Sequence, residues 1–462
     1  MKNIDLIFLI ALTIVASCVI INPQRINGII KHLIILTGLL ALVQLLSGGY
    51  YWHYLPSYLL ILFMAMISIF LRKRNRKIEN RLIKFTLVLL VLGSIAPWMI
   101  FLPIPKLTRP QGNYSVGTRI FRWVDLDRSE PVTSDPNDRR NVVVQAWYPS
   151  EANIKGVHSS YLDGMNNLPD KIGILPKWIF DHYDRINTYG IMNAPISKVQ
   201  SQWPVIIFLT GNVAARAFYT SLVAGLASYG YVVLAIDHPY EAMITQLANG
   251  EIATTVEVHL KDDPDLSKFM KNRIDIRLAD IQFVINQLGN TDELPDNFFS
   301  SLDQNRIGIA GHSLGGATAA VAMAVDSRIK AAANIDGTLY GELPKERNMR
   351  PFLLLESKKD TSDHFMRYER GNQRLFKQFS GGYRYEILEA DHYSFTDAPL
   401  LLAWPARFIM SRLIHFGGIP KKTHYATTDI LNNFFNGALN DKLFNLDSVA
   451  NCYPGVIRKP SN

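Results

Sequence analysis

The segment GIAGHSLGGATAA, residues 308–320, sets a serine between small residues, behind a short apolar run and ahead of an Ala-rich one. A serine hydroxyl becomes a useful nucleophile only when a base takes its proton and an acid holds that base in the right tautomer. Gly311, His312, Ser313, Leu314 and Gly315 fit Gly-x-Ser-x-Gly. In that elbow a strand turns sharply into a helix and presents a strained serine at the carboxyl edge of a sheet. The two glycines let backbone approach where a Cβ would clash. The bare pattern is frequent by chance, but its required surroundings are present: RIGIA reads as a strand and GATAAVAMAV as a helix. Ser313 is the expected nucleophile.

The partners of such a serine follow it in the order acid, then histidine. Four histidines come later, His364, His392, His415 and His424. His392, in EADHYSFTD, lies just past the last predicted strand, YRYEILE, where a loop can carry the base. His364 sits too close behind LLLES, and His415 and His424 fall in or beyond a closing helix. Two acids end successive strands: Asp336 in AAANIDG and Asp360 in ESKKDTSD, the latter beside Lys358 and Lys359. The pattern alone leaves both open.

Attack on an acyl carbon also needs N–H donors aimed at the developing oxyanion, each typically contributing a few kcal/mol. One is expected from Leu314, directly after the nucleophile. The other is expected from Asn212, in the loop Thr210-Gly211-Asn212 that follows the apolar run VIIFLT.

These residues need a sheet to hold them. NVVVQAWYPS alternates, while VIIFLT and YVVLAID are continuous apolar runs, as fully buried parallel strands read. RIGIAG, IKAAANID, PFLLLES and YRYEILE follow, separated by helical patterns such as RLADIQFVINQL. The alternation predicts an α/β fold with a doubly wound, mostly parallel sheet and helices on both faces.

The first hundred residues differ in kind. Four apolar stretches, Leu6–Ile21, Leu33–Leu46, Leu55–Leu71 and Phe85–Leu102, read as a bundle of about four transmembrane helices. The expected organisation is a transmembrane region at 1–103, a Pro-rich linker at 104–112 and a catalytic domain at 113–462. RKRNRKIENRLIK, between the third and fourth stretches, is strongly basic, whereas SGGYYWHY, between the second and third, lacks Lys and Arg and is rich in Tyr and Trp. The positive-inside rule then places the basic loop in the cytoplasm and the catalytic domain outside a cell membrane. Much of the net charge of +8 lies in that loop, so no nucleic-acid partner is called for.

The N-terminus also loosely resembles a lipoprotein signal ending at Cys18, but the apolar run continues through VII, as a membrane helix does. Cys452 is the only other cysteine, which leaves no disulfide framework. No Gly-rich dinucleotide turn, phosphate loop or His/Cys cluster at metal-ligand spacing is present, so no cofactor and no metal is expected.

YSVGTRIFRWVD, VVVQAWYPS, GHSLGGATAA, NIDG and DHYSFTD together resemble the plasma-type platelet-activating-factor acetylhydrolases and their bacterial relatives. These form a branch of the α/β hydrolases that cleaves ester-bound acyl groups without calcium. The resemblance runs from about Asn113 to about His415 and leaves out the membrane helices. It implies an α/β-hydrolase fold, an acyl-ester or phospholipid substrate, and a triad of Ser313, His392 and Asp336, with Asp360 the alternative acid. The family usually carries His-Gly before the second oxyanion donor; here Thr210 replaces the histidine, which bears on loop geometry and substrate preference while leaving the Asn212 amide in place.

Between the early strands and VIIFLT, the segment LPDKIGILPKWIFDHYDRINTYGIMNAP spaces Trp178, Ile179, Phe180, Tyr183 and Ile186 as a helix would. It is expected to be a helix packed on the sheet edge, or alternatively a lid near the site. His238 is expected to be a hydrogen-bonded structural histidine, and the segment from Gly417 onward a closing amphipathic helix plus tail. The leading expectation is a membrane-anchored serine ester hydrolase. An acyltransferase or peptidase on the same triad, and a non-catalytic membrane sensor or assembly protein, are the alternatives. A reporter fused to the C-terminus is expected outside the cytoplasm; cytoplasmic signal would overturn the orientation.

Overall fold

The computed structural model describes residues 3–21, 28–70, 77–152, 154–173, 175–256, 265–289, 298–340, 343–344, 347–358, 363–379 and 382–460. The alternative acid Asp360 and the start of the basic connection, residues 71–76, lie outside the described residues. By internal contacts the chain divides into two compact units.

The first unit comprises Met1–Ile104 with Trp178–His182 and Leu402–Ala406. Its helices are α1 (Asn3–Ile21), α2 (Gly28–Gly48), α3 (Leu55–Phe70) and α4 (Lys77–Ile100). Stretches of 18, 21, 18 and 20 residues in these helices are long and apolar enough to cross a membrane. Phe8, Leu12, Ile34, Leu60, Met64 and Leu87 pack the interior, while Ile14, Leu36, Leu62 and Leu92 are exposed, the outward-apolar pattern of helices that face lipid. Aromatic rings gather where α2 passes to α3. Tyr51 meets His182 edge-on at 4.5 Å between ring centres, and Trp52 meets Trp178 in the same way at 4.5 Å. The segment read from sequence as one helix is instead two short 3₁₀ turns, Lys177–Phe180 and Tyr183–Arg185. Apolar spacing alone misled there, because Ile179, Phe180, Tyr183 and Ile186 are buried without a continuous helix.

The second unit holds the sheet. Its ten strands, numbered along the chain, are β1 (Ser115–Ser129), β2 (Arg139–Ser150), β3 (Gly190–Met192), β4 (Trp203–Leu209), β5 (Val232–Asp237), β6 (Leu302–His312), β7 (Ile329–Ile335), β8 (Phe352–Ser357), β9 (Tyr383–Ile387) and β10 (Val456–Arg458). They lie in the order β10-β9-β8-β7-β6-β4-β5-β2-β1-β3. The six from β5 to β9 run parallel, and β2 and β10 are antiparallel to their neighbours in that block. The remaining helices are α5 (Thr220–Ser228), α6 (Leu266–Gln287), α7 (Leu314–Val325), α8 (Asp363–Gln378), α9 (Trp404–Ile414), α10 (Pro420–Leu439) and α11 (Leu446–Ala450).

The continuous apolar strands are buried on both faces, as their composition predicts. On β4, Val205, Ile207 and Leu209 enter a core with α6 and α7, while Ile206 and Phe208 enter another with α5 and α10. The fold is therefore the expected doubly wound, mostly parallel sheet. The tail differs: past α10 it forms α11 and then β10, which pairs with β9. A strand of only three residues leaves no alternation to read.

Phe435, fully buried on α10, lies so near β6 that a Cβ on Gly308 would sit 2.6 Å from its ring. Phe435→Ala is expected to cost about 3–5 kcal/mol and lower the melting temperature; an unchanged melting temperature would remove Phe435 from the core.

Candidate active site

β6 ends at His312, α7 starts at Leu314, and Ser313 between them has φ 56 and ψ −122, a conformation that costs a non-glycine residue about 1–3 kcal/mol. The surroundings hold it there. The Ser313 N–H donates to the Ile335 carbonyl at 2.8 Å. A Cβ on Gly311 would lie 2.4 Å from the Gly315 backbone, and one on Gly315 would lie 2.3 Å from the Leu209 carbonyl. Gly311 and Gly315 therefore make room for the turn by close backbone approach on either side of it.

His392 opens a 3₁₀ turn after β9 and points its Nε2 at Ser313 Oγ, 3.0 Å away. Its Nδ1 lies 2.7 Å from Asp336 Oδ2. An ionised carboxylate only accepts, so Nδ1 carries the ring proton and the Nε2 lone pair faces the serine hydroxyl. Asp336 directly follows β7, itself at φ 56, and is buried. Its other contacts come from β8: Ser357 N–H donates to Oδ1 at 2.7 Å, and the Ser357 hydroxyl reaches both oxygens at 3.0 and 2.9 Å. The turn that carries His392 is capped by Asp391, whose carboxylate accepts from the N–H groups of Tyr393, Ser394 and Gly417.

The loop after β4 is fixed from below. Arg277, on α6 and fully buried, donates to the carbonyls of Thr210 at 2.6 Å and Gly211 at 3.3 Å, and pairs with Glu241. Burial would raise the Glu241 carboxyl, but Arg277 outweighs it and holds it below the usual carboxylate range. One turn before, Arg273 donates to the Asn212 side-chain oxygen. The loop backbone packs on the nucleophile, since a Cβ on Gly211 would lie 3.4 Å from Ser313 Cβ. Leu314, the first residue of α7, has no carbonyl one turn back for its N–H to bond. Thr210 acts through its carbonyl, held by Arg277, so the replaced histidine side chain is not what fixes this loop.

His238 follows β5 and is buried; its Nδ1 donates to Asp280 at 2.8 Å. Burial would raise the Asp280 carboxyl, but Arg140 and the His238 hydrogen bond hold it well below the usual range. Glu356, beside Ser357, behaves oppositely. Burial, reinforced by the nearby Asp336 charge, pushes it up to about 7 against the pull of Arg384.

The structure thus brings together Ser313, His392 and Asp336, with Gly211 and Leu314 beside the serine. Ser357, Asp391, Arg277 and Tyr219 were missed by the sequence reading. Ser357 and Arg277 act on partners distant in the chain, as does Tyr219, which lies 2.9 Å from His312 Nδ1, so no local pattern marks them. The Asp391 cap, with Ser394 three residues on, is by contrast a local signal that could have been read. His312, Asp336 and His392 each place one possible metal-ligand atom within 4.8 Å of the others. Those atoms already hold hydrogen bonds to Ser313, Tyr219, the His392 carbonyl and one another, which a metal would have to break. Ser357→Ala is expected to lower kcat about tenfold by loosening Asp336, with the melting temperature little changed. Unchanged turnover would show that the Ser357 N–H suffices.

Comparison with known proteins gives concordant relatives. The chain is 34% identical over 139 residues to "Probable 1-alkyl-2-acetylglycerophosphocholine esterase" of Arthroderma benhamiae, covering 30% of this chain and 32% of the relative. It is 24% identical over 272 residues to "Platelet-activating factor acetylhydrolase" of Cavia porcellus, covering 54% of this chain and 60% of the relative. The chain therefore spans about a third to three fifths of the length of these curated relatives. A ferulic acid esterase from Streptomyces cinnamoneus superposes with a TM-score of 0.62 at 25% identity, over 77% of this chain and 99% of that one. The sequence model of the family "Platelet-activating factor acetylhydrolase, isoform II" matches residues 100–401, and the chain belongs to that family.

Proposed function

We propose that the protein is a membrane-held serine carboxylic-ester hydrolase. The observation that carries the reading is the line Ser313 Oγ, His392 Nε2, His392 Nδ1, Asp336 Oδ2, with separations of 3.0 and 2.7 Å across its two hydrogen bonds. Ser313 attacks the acyl carbonyl while His392 takes its proton, and Asp336 steadies the imidazolium. The Leu314 and Asn212 N–H groups receive the oxyanion. His392 then protonates the leaving alcohol, and a water activated by the same ring clears the acyl-enzyme.

The substrate is an acyl ester of lipid character, of the phospholipid class. Three observations support this. The relatives carry names of acetylglycerophosphocholine esterases. The His392 side chain is 39% exposed, so the reacting bond is reachable without a buried tunnel. On α9, which begins 12 residues after His392, Trp404, Phe408, Ile409, Leu413 and Ile414 are all exposed. A helix with so much exposed apolar surface suits a lipid surface. The catalytic unit then works on the extracytoplasmic side.

The test is turnover of p-nitrophenyl esters of graded chain length, and of a phospholipid ester, by the full chain in detergent. Ser313→Ala is expected to lose on the order of 10⁶-fold, and Asp336→Asn on the order of 10⁴-fold, while Asp360→Asn stays near wild type. If Asp360→Asn abolishes turnover and Asp336→Asn does not, the acid is misassigned. Capture of the acyl group by an added acceptor alcohol in preference to water would make the protein an acyltransferase.

A further inference from the structure

His312 has so far served only as a member of the elbow, and Tyr219 has no role in the reaction described. Yet the two join parts of the site that no strand connects. His312 Nε2 lies 2.9 Å from the carbonyl oxygen of His392. A carbonyl only accepts, so Nε2 carries the proton of the neutral ring and Nδ1 is its acceptor. The Tyr219 hydroxyl, 2.9 Å from Nδ1, therefore donates to it. The Tyr219 oxygen in turn accepts the Gly211 N–H at 2.9 Å. Donors and acceptors alternate along the whole chain with none reversed.

We propose that Tyr219 and His312 are positioning residues that lock the oxyanion loop to the base loop through this single chain, Gly211 to Tyr219 to His312 to the His392 backbone. The inference rests on the hydrolase reading above. One end is the residue before Asn212, whose amide that reading assigns to the oxyanion. The other end is the backbone of the general base, and the middle member is bonded covalently to Ser313. Water has little access to compete, because Tyr219 is 1% and His312 3% exposed. The loop also leans on the chain sterically. A Cβ on Gly211 would lie 3.0 Å from the Tyr219 hydroxyl and 3.3 Å from His312 Nδ1. The imidazoles of His312 and His392 lie 4.5 Å apart between centres, so movement of one is felt by the other. Loss of a link should leave substrate binding in place and misplace the donors that meet charge only in the transition state.

The test uses the full chain in detergent with Tyr219→Phe, His312→Leu and His312→Gln. Active sites are counted by the burst with a fluorophosphonate, in which Ser313 Oγ displaces fluoride, and kcat is expressed per counted site. Tyr219→Phe and His312→Leu are expected to lower kcat per site and the phosphonylation rate about 10- to 100-fold, with KM changed less than about threefold. His312→Gln is expected to recover most of the loss, since its amide can accept from Tyr219 and donate to the His392 carbonyl. The double variant Tyr219→Phe with His312→Leu should fall no more than about threefold below the weaker single variant. Fewer countable sites with turnover per site intact would mean a purely structural role and overturn the inference. Additive losses in the double variant would overturn the single chain. Wild-type protein that neither turns over nor reacts with the fluorophosphonate would overturn the hydrolase reading, and this inference with it.

Discussion

The crowding of backbone around Ser313 is the constraint on which the site depends. A residue with a Cβ held at φ 56 is costly, and it persists only where its neighbours leave no alternative. Here they do not. Gly311 and Gly315 bring the two arms of the turn within contact, Gly316 leaves room for the Asn334 amide, and Gly337 lies against the Ser313 carbonyl. Asn334 donates to the Gly337 carbonyl and accepts its N–H, which bends the chain just after β7. The same bend sets Asp336 in its own positive-φ conformation. The conformations of Ser313 and Asp336 are thus consequences of one packing problem at the ends of β6 and β7.

Around that rigid centre the other parts are held by different means. The loop after β4 is fixed by buried charge, since Arg277 can satisfy Glu241 and two loop carbonyls at once. Removing either member of such a pair strands the other in a dry interior, which costs far more than the pair contributes. The base loop is fixed instead by a half-exposed turn, with Asp391 gathering backbone N–H groups as a helix cap does. Rigid donors beside a more accessible histidine suit a reaction in which the oxyanion must be met without reorganisation while the proton carrier serves both leaving group and water.

Legibility followed the reach of each interaction. Gly311, Ser313 and Gly315 could be read because the elbow is local: its sterics act within five residues. The strands could be read because burial on both faces leaves uninterrupted apolar runs, and the four N-terminal helices because each is an apolar run long enough to cross a membrane. The choice between Asp336 and Asp360 could not be made from pattern, since each follows an apolar, strand-like run in the sequence, and the approach of Ser357 and His392 to Asp336 depends on partners far along the chain. Arg277 and Tyr219 were invisible because what they hold lies elsewhere along the chain, at Glu241 and Thr210 for the one and at His312 for the other. The turns at 177–185 misread as helix show the converse: apolar spacing reports burial, and the chain can achieve burial without the regular element.

The last strand has a consequence of its own. β10 covers the outer edge of β9 through Val456, Ile457 and Arg458, and the Gly455 carbonyl accepts the Leu388 N–H four residues before His392. Stripped of β10, β9 would present a row of open peptide groups, a template for pairing with another copy. Its loosened end would be the one that launches the base loop. Loss of β10 would then disturb the loop that carries His392 and promote aggregation together, without touching Ser313, His392 or Asp336.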